Sequence, residues 1–108
     1  QRLNYKIAEY TKAVLKDKPN FHISFIMNVS PECDCWNHND AAVVPDLGIL
    51  ASTDPVALDQ ACLDLVYRSD DPGKKDLIQR IESRNGLRTV ESAAALGVGS
   101  REYELITL

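Results

Sequence analysis

Two thiols one residue apart, Cys33 and Cys35, with His38 three residues on, form the densest group of metal-seeking side chains in this 108-residue sequence. Thiolate and imidazole are the ligands that zinc and iron accept, and in a loop both sulfurs of a Cys-x-Cys can turn onto one ion. On an extended strand they would point to opposite faces. Three ligands leave a tetrahedral site one short, so the fourth would be water, Asp40 or a residue from elsewhere. The spacing is not the twice-repeated Cys-x2-Cys of structural zinc sites. The same residues equally suit a polar loop with idle thiols, and a Cys33–Cys35 disulfide would close a strained ring better fitted to exchange than to stapling.

Carboxylates form the second group: Asp40, Asp46, Asp54 and Asp59. Asp54 precedes Pro55, the arrangement of a helix cap, where the side chain accepts free backbone N–H groups and proline needs none. Asp59 is flanked one turn away by Pro55, Val56, Cys62 and Leu63, so its charge must be paired, hydrogen-bonded, bound to a cation or neutralised. His22 reads as a packed histidine with one partner, and Cys62 as a small core residue. Gly97-Val98-Gly99-Ser100 lacks the lysine of a phosphate-binding loop.

The elements that must position these groups follow from apolar spacing. Leu3, Ile7, Tyr10 and Val14 mark an amphipathic helix over 3–16, closed by Pro19 and Asn20. Phe21, Ile23, Phe25, Met27 and Val29 alternate as the apolar face of a strand, expected to pack helices and to make Phe25 a core residue. Residues 30–45 form a long polar loop, 47–52 a short buried strand, and 55–68 a broadly buried helix. A charged helix over 74–84 ends at Gly86 in a left-handed turn, a short helix runs from Thr89 to Leu96, and 101–108 closes the chain as a strand. The expected class is α/β: a small mixed sheet of about three strands with helices packed on it, in the order α-β-β-α-α-α-β. If the two central strands run parallel, the Cys33 loop and Asp54 share one carboxyl edge; if antiparallel, they do not.

Composition narrows the partners. Twelve basic and sixteen acidic residues give a net charge of -4, with no basic cluster, which disfavours nucleic acid. No apolar run reaches the roughly 18–20 residues that span a bilayer, so no membrane partner is expected. Three cysteines, two of them nearly adjacent, do not make a secreted disulfide framework, and point to a reducing cytoplasm. With Gln1 first and Met27, the sole methionine, inside a strand, the sequence reads as one α/β domain forming the C-terminal fragment of a longer chain.

The blocks Ser30-Pro31-Glu32-Cys33-Asp34-Cys35, Val44 to Ser52 and Asp54-Pro55-Val56-Ala57-Leu58-Asp59-Gln60-Ala61 resemble the family called domain of unknown function three-six-two, whose members are often labelled uncharacterised iron–sulfur centre proteins. Ala8-Glu9-Tyr10 and Leu96 to Tyr103 are similar to its C-terminal region as well. The resemblance implies a longer parent, commonly with a ferredoxin-like insertion whose cysteine runs hold [4Fe–4S] clusters. No such run occurs here, so those clusters would belong to the parent and not to these residues. The N-terminal remainder of the parent is then the expected partner. Cys33, Cys35, Asp54 and Asp59 match motif positions, without assigned catalytic roles. Three functions follow as expectations: a metal-linked or redox-linked domain using the Cys33/Cys35 loop with zinc or iron, a segment completing the parent's α/β fold, or part of a small-molecule enzyme pocket.

Overall fold

The computed structural model describes residues 2–31 and 41–108. In chain order the elements are α1 (Arg2–Leu15), β1 (His22–Ile26), β2 (Gly48–Ser52), α2 (Pro55–Arg68), α3 (Lys74–Ser83) and α4 (Leu87–Ala95). The class is mixed α/β, as expected. Among the described residues the sheet has two strands, not three, because 101–108 forms no strand. Its start is tied elsewhere: Arg101 Nε donates to Gln60 Oε1 at 3.0 Å and the Tyr103 hydroxyl to Asp64 Oδ2 at 2.5 Å, holding the segment along one flank of α2.

β1 and β2 pair antiparallel, from His22 opposite Ser52 to Ile26 opposite Gly48. The ladder stops there because Asn28 turns left-handed at φ 54 and gives its N–H to Asp46 Oδ1 at 3.0 Å. A single bridge, Val29 to Val44, follows. α2 lies across the sheet, and the face it covers is not the expected one. Ile26 is buried, while Phe21, Ile23, Phe25 and Met27 are largely exposed, as is Ile49 of β2. Phe25 is therefore no core residue, and β2 is half-exposed rather than buried. Alternation fixes that a strand has two unlike faces; which one is covered depends on where α2 docks.

α1 shows the same reversal. Leu3, Ile7, Tyr10 and Val14 point outward, and the helix rests instead on its narrow Ala8 flank. Ala8 packs with Val56, Val90 and Ala93 in the interface with α2 and α4, and the Asn4 amide donates to the carbonyls of Arg84 and Asn85. A second cluster, Ile26, Val44, Val66 and Leu77, joins the sheet to α2 and α3. Asn85, not Gly86, takes the left-handed turn after α3, and Gly86 instead caps α4, which starts at Leu87, two residues before the expected Thr89. Gly97, at φ 81, ends α4 as expected, with Val98 N–H on Ala93 O and Gly97 N–H on Ala94 O, the paired bonds of a Schellman cap.

Candidate functional site

An open groove of about 780 Å³ separates α1 from β1, with the first turn of α2 as its floor. Leu3, Ile7, Tyr10 and Val14 form one wall, recurring at the i, i+4, i+7, i+11 spacing of one helix stripe. Phe21, His22, Ile23 and Ser24 form the other. Phe21 and the first three residues of β1 point alternately to both sheet faces, so a groove touching all four follows the strand's edge. That edge is the one β2 leaves free.

The floor carries the polar groups. Asp59 reaches it from α2, and among the described residues nothing donates a hydrogen bond to its carboxylate. Asp59 is exposed rather than enclosed by its apolar neighbours, yet the side chains beside it remove enough water to push its carboxyl above the usual range, while the nearby His22 pulls it down. His22 is half-buried, with Nε2 at 2.7 Å from Asn20 Oδ1. One turn along α2, the half-buried Cys62 thiol meets the Ser24 side chain. Burial raises its pKa, the Ser24 hydrogen bond offsets part of that, and Asp59 raises it again, so the thiol stays protonated near neutrality and is a poor nucleophile. His22/Ser24 at strand spacing and Asp59/Cys62 at helix spacing thus form one polar seam. Those spacings are the sequence signal for it, and they show only when the strand and the helix are read together.

The remaining candidates are dispersed. Asp54 is consumed by structure: its Oδ1 accepts Val56 N–H at 2.9 Å and Ala57 N–H at 3.0 Å, and its Oδ2 accepts Ser100 N–H at 2.9 Å. Asp46 holds the Asn28 turn and is exposed. Cys33, Cys35, His38 and Asp40 lie outside the described residues. Antiparallel pairing places the stem of their segment beyond Ile26 and Gly48, and Asp54 beyond Ser52, at opposite ends of the sheet. The shared carboxyl edge that parallel strands would have created is thus absent. Among the described residues no three His, Cys, Asp or Glu side chains are grouped to hold a metal, and no described helix is long and apolar enough to cross a membrane.

A two-stranded sheet carried on α2, with three further helices, defines a mixed α/β protein whose described side chains form no recognisable catalytic constellation. Residues 1–64, more than half of the chain, match the family Domain of unknown function (DUF362), and the chain belongs to that family. The match ends at Asp64, short of the Leu96–Tyr103 segment that also resembled the family. No curated protein and no solved structure matches the chain.

Proposed function

We propose that this chain is the C-terminal part of a larger α/β body, and that its function is to complete that body against the N-terminal remainder of the parent. The carrying observation is the exposed apolar surface on α1 and the outer sheet face: Leu3, Ile7, Tyr10, Val14, Phe21, Ile23, Phe25, Met27 and Ile49 each expose 43% or more. With about 150–250 Å² per fully buried aromatic side chain as a guide, these nine expose on the order of 1,000 Å². Monomeric proteins rarely carry apolar patches beyond roughly 300–600 Å². One side of a stable interface buries about 800 Å².

This reading leaves any [4Fe–4S] cluster with the remainder of the parent, and the zinc or iron reading of Cys33, Cys35 and His38 keeps only its basis in sequence. Side-chain footprinting of the 108-residue chain and of the longer native chain tests it. Phe25 and Met27 label freely in the first and at least about tenfold more slowly in the second, as expected of side chains passing from surface to core. Equal labelling would overturn the reading.

A further inference from the structure

We propose that the groove between α1 and β1 is a slot for one extended segment of the parent polypeptide, the stretch just before Gln1, which adds to the free edge of β1 as a parallel strand. The inference rests on the completion reading above and names the element that does the completing.

Three observations on the slot carry it. It follows a strand edge that no described strand pairs, whose outward N–H and C=O groups make a template for another strand. Its far wall is an apolar helix stripe that no described element covers, and such stripes are made to lie on a sheet. Its length fits as well: a 14-residue helix spans about 21 Å, the reach of about six strand residues.

Topology selects the source of the strand. α1 leads into β1 through the short connection 16–21, which is how a helix returns to a sheet in a strand–helix–strand crossover. The strand that feeds such a helix lies beside the strand that leaves it, parallel and under the helix. Here that place is the slot, and Leu3, at the start of α1, lines it. A second copy of this chain related by a two-fold axis would instead bring β1 against β1 antiparallel, leaving the stripe of α1 without a strand of its own. The apolar area on the slot walls is continuous with the outer sheet face, so one polypeptide entering the slot can go on to cover both.

Amide hydrogen exchange on the longer native chain and on the 108-residue chain at high dilution tests the proposal. The β1 amides that do not bond β2 exchange quickly in the 108-residue chain and at least about 100-fold more slowly in the longer one, as for amides moved from a sheet edge to its interior. In the longer chain, Ile7→Asp abolishes that protection. In the 108-residue chain, where Ile7 is exposed, it leaves the circular dichroism spectrum unchanged. Fast exchange of those amides in the longer chain overturns the slot. If Phe25 and Met27 are nevertheless shielded there, the completion reading survives without it. Protection that rises with concentration of the 108-residue chain, and is missing from the longer chain, assigns the edge to a second copy and overturns the proposal.

Discussion

Asp54 shows what one carboxylate does when both of its oxygens are taken up by backbone N–H groups. It joins the start of α2 to the segment after α4 by accepting three backbone N–H groups, and Gly99 stands so close that a Cβ there would strike the carboxylate. Asp54→Ala removes an N-cap and leaves the Ser100 amide without its acceptor, at a combined cost of about 2–3 kcal/mol in urea denaturation. Asp59 behaves oppositely, because its setting disfavours its charge. Its folded pKa lies above its unfolded one, so the folded state binds more protons between the two values. Stability is therefore lost as the pH rises from below the ordinary aspartate value of about 3.9 through the raised folded value. Asp59→Asn should accordingly raise the urea midpoint at pH 7, with the gain vanishing at pH 3. Contact with solvent keeps the gain small, and a loss of stability at pH 7 would show that the carboxylate has a favourable partner.

At the scale of elements, the two faces of β1 reverse the ordinary ranking of apolar substitutions. Ile26→Ala opens the cluster shared with Val44, Val66 and Leu77 and should cost about 2–4 kcal/mol. Phe25→Ala, the larger truncation, should cost no more than about 0.5–1 kcal/mol in the 108-residue chain, because the ring is 63% exposed. Equilibrium urea curves of the two variants decide the order. Helix α1, the alternation of β1, the capped start of α2 and the stop at Gly97 were all legible, since each depends on spacing or on a residue's own backbone preference. Which face of α1 and β1 is covered was not legible, because that is set by what lies across from the element. The failed strand at 101–108 has a similar cause: Arg101 and Tyr103 find partners on α2, 41 and 39 residues away, and local pattern carries no sign of them. Asp54 was legible as a helix cap and Asp59 as a carboxylate among apolar neighbours, whereas the groove that Asp59 lines, a property of α1 and β1 together, was not.

For the whole molecule, the same unfilled surface sets how the 108-residue chain behaves on its own. Two small clusters hold the helices and sheet together, and the largest apolar side chains of α1 and β1 belong to neither. The formal charge of -4 is modest for keeping such a surface apart from its copies. Phe25 and Ile49 sit opposite each other on the outer sheet face. Replacing them together by Lys and Glu puts an opposite-charge pair across the strands and cuts the centre out of the apolar patch, without touching either cluster. The double variant should sediment as a monomer at concentrations where the original chain self-associates, and bind less of a dye that reports exposed apolar surface. Its urea midpoint should move by no more than the equivalent of about 1 kcal/mol, as for other substitutions of exposed side chains. In the longer chain proposed above the same pair should be severely destabilising, because there two charges would enter the proposed interface in place of a phenyl ring and a branched aliphatic side chain. A double variant tolerated equally in both chains would mean that the outer sheet face stays in solvent throughout.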